Sequence, residues 1–469
     1  MELTVVRCLG PNQIPMTMPA CLRIDEVLYH FDQVLRNLLP DDWIRLEYYA
    51  RKIRKLTVQD IVYGTVDKSF FIALATYRPV RNPFQNLQQI AMRLTHTLGY
   101  KSAPYMEFLL GPNILGVSIT VGSSRPGLFH VSLLLPSIPR LCPNLQDFDV
   151  HGKLPKLDFE RDVFQNICSM HNLRTLDLEN LKPPDGMIGR ILHHLGSLTS
   201  LEYLYGLYVP TEIQSLNRPD LILPPFSMVN HWFPKLRDLC LILEDVDTAV
   251  FVMDSMHLPF HSLTFQLEGQ HLQPHSPSKL LQYLGRNPHL PLSLSILVIF
   301  EDPIHSLAHD VEILSDFKLP ALTNLQTLRL QFSGVEILDD VWLNQASRSF
   351  PQLRVLELPG RALRRKRITL AGYVPLVQNC PRLSHISVAT ACESFDTRKT
   401  LPPGLWNQSP IGLDFSHSSI ESPVGSIFRC LVLMFPNLQY FRIPYNFPSE
   451  EARKSWTDLL RLVGESQDH

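Results

Sequence analysis

The sequence predicts an α/β solenoid built from repeated units of a short strand, a loop and a helix. Three observations carry this prediction. The apolar frame L-x-x-L-x-L, with aliphatic or Phe substitutes, recurs about every 30 residues along the chain. Stretches with apolar residues at three- and four-residue spacing lie between the frames and indicate helices. Prolines (38, against 21 glycines) often stand just before a frame, where they end the preceding helix.

Each strand is predicted at the second and third apolar positions of a frame, where apolar and polar residues alternate. One strand and one helix cannot bury their apolar stripe alone, so the units must stack. The expected result is a leucine-rich-repeat solenoid, a curved arc with parallel strands on its concave face and helices outside. The clear frames begin at Leu145, Leu173, Leu201, Leu236, Leu294, Leu325, Leu353, Leu383 and Leu438, and the weaker ones at Ile53, Leu87, Ile114, Phe260 and Pro410.

The repeats depart from the common pattern at one position. Many leucine-rich repeats carry Asn or Cys three residues after the last leucine of the frame, and here only Asn446 fits. We therefore expect an irregular solenoid. The other frames place Lys153, Leu181, Glu244, Ser333, Arg361 and Ala391 at that position.

Both ends of the repeat region carry amphipathic segments. Trp43, Leu46, Tyr49, Ile53 and Leu56 are spaced for one apolar helix face, which predicts a helical cap over 41–56 that leads into the first frame. At the other end, residues 448–466 predict a capping helix that begins after Ser449 as N-cap. Its predicted apolar face is Trp456, Leu459, Leu460 and Leu462.

Composition and motifs favour a non-catalytic intracellular protein. The formal net charge of -2 gives no basic excess for nucleic acid, and no apolar run approaches the length of a membrane span. The eight cysteines form no C-x-x-C pair and suit a reducing compartment, in the cytoplasm or the nucleus. Phosphate-loop, H-E-x-x-H and G-x-S-x-G motifs are absent from the sequence, so we expect no enzyme activity, cofactor or metal.

The predicted partner-binding surface is the concave face, where residues beside the second and third apolar positions should point. Its acidic, basic and aromatic side chains suit recognition of a protein. The basic run at 361–367 is predicted to be a solvated ridge, with a nuclear-localisation signal or a contact for an acidic partner as alternatives. The candidate concave-face residues are Asp147, Asp149, Thr175, Asp177, Asp238, Thr327, Arg329, Glu357, His385, Ser387, Tyr440 and Arg442.

The segment before the repeats resembles a known family. Residues 38–56 read L-L-P-x-D-W-x-R-x-x-x-Y-A-R-x-I-R-x-L, and CLRIDEVLYHF at 21–31 is similar to the opening of an F-box. Together with irregular leucine-rich repeats, they resemble the F-box proteins of mushroom-forming fungi. The resemblance implies a substrate receptor of an SCF-type ubiquitin ligase that docks on the Skp adaptor. Its adaptor-facing residues would be Leu22, Ile24, Val27 and Leu28.

The F-box of this chain is truncated, because the segment between Phe31 and Pro40 is too short for the remaining helices. A stand-alone interaction scaffold without ligase association is therefore the alternative function, and a GTPase activator is a more distant one. The predicted domains are a flexible lead-in at 1–20, the F-box remnant and cap at 21–52, the solenoid at 53–447 and the capping helix at 448–469.

Overall fold

The computed structural model describes residues 44, 47–59, 84–94, 107–122, 131–152, 158–178, 181–184, 186–211, 233–255, 260–268, 280–281, 283–284, 286, 293–301, 322–331, 338–359, 368–393, 407–420, 422–445, 447 and 449–467. The lead-in, the four F-box residues and the basic run at 361–367 lie outside this set. Contacts divide the chain into two compact units. The first comprises Met1–Tyr208 with Pro219–Leu236, and the second Val209–Arg218 with Arg237–His469.

The described part of the first unit contains a parallel sheet whose strands follow one another in chain order. Every strand begins two residues after the first apolar position of its predicted frame, so the strand predictions are confirmed here. The strands are β1 Lys55–Gln59, β2 Gln89–Leu94, β3 Gly116–Val121, β4 Asp147–Gly152, β5 Thr175–Asp177 and β6 Tyr203–Val209.

The second unit repeats the arrangement, again with parallel neighbours. Its strands are β7 Asp238–Leu243, β8 Ser262–Leu267, β9 Ile296–Glu301, β10 Thr327–Gln331, β11 Val355–Leu358, β12 His385–Val388, β13 Ala391–Cys392, β14 Ile411–Asp414, β15 Ser419–Ile420 and β16 Leu438–Arg442. Strands β13 and β15 form a small separate pair, and the others form the main sheet. The weak frame at Pro410 therefore does produce a strand.

In ten of the described repeats, one backbone carbonyl fixes the register of the next. The carbonyl of Arg54 accepts hydrogen bonds from the amides of Gln88 (2.8 Å) and Gln89 (3.0 Å). This acceptor stands one residue after the first apolar position of its frame, and two bonds to one oxygen hold the next strand in a single alignment. The same arrangement recurs at Gln88, Leu115, Gln146, Arg174, Arg237, His261, Ser295, Gln326 and Arg354.

Helices between the strands contribute buried apolar residues to the core. Phe164 and Ile167 of the second helix are fully buried, as is Phe148 of β4, so strand and helix share one core. The helices are α1 Ser137–Leu141, α2 Asp158–Ile167, α3 Ile188–Ser197, α4 Val246–Ser255, α5 Asp340–Ser349, α6 Tyr373–Asn379, α7 Val424–Met434 and α8 Glu450–Gln467.

The C-terminal helix α8 forms as predicted, with one change to its buried face. Ser449 Oγ accepts a hydrogen bond from the amide of Ala452 (3.1 Å), which confirms the N-cap. The ring of Trp456 lies 5.9 Å from that of Phe415 between centroids and anchors the helix on the second unit. Leu460 is 40% exposed, and Val463 is buried in its place. The buried face of α8 therefore contains Trp456, Leu459 and Val463, which are spaced by three and four residues. The prediction had placed Leu460 on this face instead of Val463.

The N-terminal cap helix is shorter than predicted. The described helical residues end at Ala50, and Lys55 already begins β1, so a helix over 41–56 was wrong at its C-terminal end. Tight turns replace it, with hydrogen bonds from the amide of Lys52 to the Tyr49 carbonyl and from that of Ile53 to the Ala50 carbonyl. Residues from Lys55 onwards are extended because they pair with β2. The carbonyl of Arg54 faces the same repeat and accepts its hydrogen bonds, so it is not used in a helix.

We predict that Gly372→Ala destabilises the protein. A Cβ there would meet Asp340 Oδ1 and lie 2.8 Å from its Cγ. The Asp340 carboxylate cannot move freely, because it accepts hydrogen bonds from the amide (2.8 Å) and the hydroxyl (2.7 Å) of Thr369. Urea denaturation should show a loss of about 1–3 kcal/mol in the free energy of unfolding, the usual range for overpacking.

Gly425→Ala is the matched control for this substitution. A Cβ at Gly425 has no atom within 4 Å, and the residue lies in the first turn of α7. Alanine should leave stability unchanged or raise it slightly, because it restricts the unfolded chain. Equal losses in the two variants would contradict the packing role of Asp340.

Candidate functional site: the open faces of the two sheets

Alternate side chains along each strand point away from the helices and form an open sheet face. In β4, Phe148 and Val150 are buried, whereas Asp147, Asp149 and His151 are half-exposed. This alternation recurs in β3, β5, β8, β10 and β11 because successive strand side chains point to opposite sides. We call these surfaces the open face of the first unit and the open face of the second unit.

The predicted residues of the first unit lie side by side on its open face. Strand pairing places Asp147 beside Thr175 and Asp149 beside Asp177. His151, on the same strand as the first two aspartates, joins the carboxylates: its Nε2 lies 2.7 Å from Asp149 Oδ1 and 4.0 Å from Asp177 Oδ2. The result is an acidic surface with one histidine between two carboxylates.

The predicted residues of the second unit form a row of paired charges. Arg329 Nη2 lies 2.7 Å from Glu357 Oε1, and Nε2 of His385 lies 4.0 Å from the same carboxylate oxygen. Thr327 lies on the same strand as Arg329, and Asp238 lies on β7; both are half-exposed. The carboxylate of Glu357 therefore lies near both an arginine and a histidine.

Ser387 and Tyr440 differ strongly in exposure. Ser387 is only 9% exposed, because its strand runs between the strands of Glu357 and Asp414 and both are in register with it. Its hydroxyl offers little surface to a partner. Tyr440, on β16, is 51% exposed and offers a large aromatic surface.

Arg442 is held on the open face by two neighbours. Its guanidinium donates to the Tyr445 hydroxyl (2.7 Å), and its Nη1 lies 3.5 Å from Asp414 Oδ2. The hydrogen bond with Tyr445 raises the pKa of Arg442 above its ordinary value. Tyr445 is 73% exposed, so an ordered arginine lies between two exposed tyrosines, Tyr440 and Tyr445.

Sequence reasoning missed several residues of these faces although the frames contained them. Tyr203 and Tyr205 occupy the predicted outward positions of the frame at Leu201, and pairing places Tyr205 beside Asp177. Gly412 and Asp414 occupy the same positions in the weak frame at Pro410. Gly412 lies in a crowded position: a Cβ there would lie 3.2 Å from His385 Nδ1 and 3.5 Å from Tyr440 Cβ.

A polar groove of about 1160 Å³ runs along the strand starts of the first unit. Asparagine side chains on its wall donate to backbone carbonyls of the preceding repeat and form a ladder. Arg174 in the same groove donates to Glu202 (3.1 Å). The ladder bonds run from Asn86 to Arg51 (2.6 Å), Asn113 to Gln85 (2.7 Å), Asn144 to Pro112 (3.0 Å) and Asn172 to Pro143 (2.9 Å), and in the second unit from Asn437 to Gln408 (2.8 Å).

The ladder has a sequence signal that our prediction did not use. Each ladder asparagine directly precedes the first apolar position of a frame, as in NLQDFDV and NLRTLDL. The prediction looked for Asn after the last leucine, where only Asn446 fitted. Serine takes the role in some repeats, since the Ser200 hydroxyl donates to the Leu173 carbonyl (2.7 Å) and that of Ser409 to the Pro381 carbonyl (3.0 Å).

Several titratable groups with shifted pKa values lie away from the open faces. Burial raises the pKa of Cys142 to about 11 and that of Cys380 to about 12, so both stay protonated thiols at neutral pH. Burial also lowers the pKa of His194, whose Nε2 lies 3.1 Å from the Met170 carbonyl oxygen. Within the described ranges, no group of three or more His, Cys, Asp or Glu residues could hold a metal ion.

Neither the models of known protein families nor the curated proteins contain a match. Among the described helices, none has both the length and the apolar character needed to cross a membrane.

We predict that Asn172→Ala lowers the stability of the first unit. The substitution removes the hydrogen bond to the Pro143 carbonyl, which has a net worth of about 0.5–1.5 kcal/mol. Asn166→Ala is the matched control, because Asn166 donates to the Asp162 carbonyl within helix α2, where the backbone also supplies a donor. Urea denaturation midpoints that fall equally in both variants would contradict a structural role for the ladder.

Proposed function

We propose that the protein is a non-catalytic leucine-rich-repeat protein that binds a protein partner on its open sheet faces. The observation that carries the proposal is the set of half-exposed or exposed Asp, Arg, His and Tyr side chains in register on parallel strands. Tyrosine and arginine are the side chains that most often dominate protein–protein binding energy. Tyr440 and Arg442 are examples on the second unit.

The repeat type rests on three features that agree with one another. The frames recur about every 30 residues, the strands of the frames from Ile53 to Leu383 start two residues after the first apolar position, and an asparagine or serine ladder joins successive repeats. Parallel strands linked by α-helices, as in β4, α2 and β5, fit the helix-containing class of leucine-rich repeat. A stack of such units gives a long surface for a partner.

The partner-binding role that we propose is that of a substrate receptor of an SCF-type ubiquitin ligase. Support comes from the resemblance of residues 21–58 to the F-box and linker of mushroom-type F-box proteins. The F-box remnant with Leu22, Ile24, Val27 and Leu28 would dock on the Skp adaptor, and the open faces would hold the substrate.

A stand-alone interaction scaffold is the second candidate, favoured by one sequence observation. The linker beginning at Leu38 follows Phe31 so closely that the later helices of an F-box have no chain to form from. In this case the open faces bind a partner, and the F-box remnant has no ligase to join.

Protein binding at the open faces can be tested with a photo-cross-linking amino acid. Placed at Tyr440, which is 51% exposed on the open face, it should cross-link to partner proteins in cells. The control position is Val341, which is 60% exposed on helix α5, and it should give little cross-linking despite its greater exposure. Similar cross-linking at the two positions, or none at Tyr440, would contradict the proposed surface.

Co-purification with a fungal Skp adaptor separates the two candidates. A ligase receptor should bind the adaptor at one-to-one stoichiometry and lose it in Leu28→Asp. Leu460→Asp is the matched control, since Leu460 is 40% exposed on α8 and should tolerate the charge. Absence of adaptor from the folded full-length chain would reject the ligase role and leave the scaffold.

A further inference from the structure

We propose that the open face of the first unit binds an extended, arginine-containing protein segment. The inference rests on the proposed protein-binding function and names the partner chemistry for one face. It concerns the acidic–aromatic patch, which we define as Asp147, Asp149, Asp177, Tyr203 and Tyr205 on strands β4 to β6.

Strand register arranges the patch as two short rows. One row holds Asp147, Thr175 and Tyr203, and the other holds Asp149, Asp177 and Tyr205. In both rows a carboxylate on β4 and a tyrosine on β6 are two strand spacings, or about 10 Å, apart, and the second row adds Asp177 on β5 between them. Side chains on one side of an extended segment repeat about every 7 Å, so a segment of about five residues covers the patch.

The charges of the patch favour a cationic partner. It carries three aspartates, and the neighbouring histidine, His151, is shared between Asp149 and Asp177. Arg174, the nearby arginine, is held by Glu202 at 3.1 Å. The local charge of this group of side chains is therefore negative, which attracts a basic segment and repels nucleic-acid phosphates.

The open face of the second unit has a different charge pattern. There each of two carboxylates lies near an arginine of the same face, Glu357 near Arg329 at 2.7 Å and Asp414 near Arg442 at 3.5 Å. These arginines already neutralise the carboxylates that they touch. A basic segment should thus distinguish the two faces by charge.

The tyrosines favour arginine over lysine in the partner. The rings of Tyr203 and Tyr205 are nearly parallel, with an interplanar angle of 19° and centroids 6.4 Å apart. A planar guanidinium can stack on such a ring and still donate two hydrogen bonds to a carboxylate, which an ammonium cannot. Gly116, beside Asp147 on β3, adds no side chain that would cover the carboxylate.

The test is fluorescence anisotropy with the full-length protein and labelled peptides of about nine residues in which arginine alternates with serine. Lysine and glutamate versions of the peptide serve as probes of shape and charge. The arginine peptide should bind best, the lysine peptide more weakly and the glutamate peptide not at all. Binding of the arginine peptide should weaken from about 0.05 M to about 0.5 M salt.

Variants connect the binding to the patch. Asp147→Asn with Asp149→Asn should weaken arginine-peptide binding by about tenfold. Tyr203→Ala with Tyr205→Ala should weaken it as well, whereas the corresponding pair of Phe variants keeps the rings and should retain binding. The matched control, Glu357→Gln with Asp414→Asn, removes two carboxylates from the other open face and should leave binding unchanged.

Two outcomes would overturn the inference: no binding of the arginine peptide, or equal weakening by the Asp147/Asp149 variant and the control variant. The Tyr440 cross-linking experiment reports on a different face, so it separates the two proposals. Cross-linked partners together with an unbound arginine peptide would reject the acidic–aromatic patch and leave the protein-binding function standing.

Discussion

A single backbone oxygen, shared by two amides of the following repeat, is the interaction on which the rest of this structure depends. The carbonyl of Arg54 and its equivalents in nine later repeats of the described chain fix where the next strand begins. A slip of one residue would turn every core leucine outwards. The asparagine ladder beside these carbonyls adds a second bond between neighbouring repeats and reinforces the same register.

Because the strand register is fixed, the irregular repeats form two surfaces with different side-chain chemistry. Because strands align residue by residue, the outward positions of neighbouring frames become spatial neighbours, as with Asp149 and Asp177. In the first unit these neighbours are acidic and aromatic. In the second unit, acids lie near arginines, as Glu357 does near Arg329. The core needs only apolar residues at alternate positions, which leaves the outward positions available for recognition.

The strands could be predicted from the sequence because leucine spacing and strand position have the same physical cause, burial of alternate side chains. The ends of helices were harder to predict from the sequence. Near Ile53 the chain could continue the helix or pair with the next strand, and the outcome depends on the neighbouring repeat. The low exposure of Ser387 also depends on neighbours, the strands of Glu357 and Asp414. The ladder role of Asn172 was readable in the sequence but was sought at a different position of the repeat.

Cysteine scanning along β11 tests the central claim, an open face of alternate residues, most directly. Single cysteines at Val355, Leu356, Glu357 and Leu358 would be labelled with a thiol reagent in the folded protein and followed by mass spectrometry. The account predicts fast labelling at 355 and 357 and slow labelling at 356 and 358, where the native side chains are buried. Equal rates at all four positions, or fast labelling at 356 and 358, would contradict it.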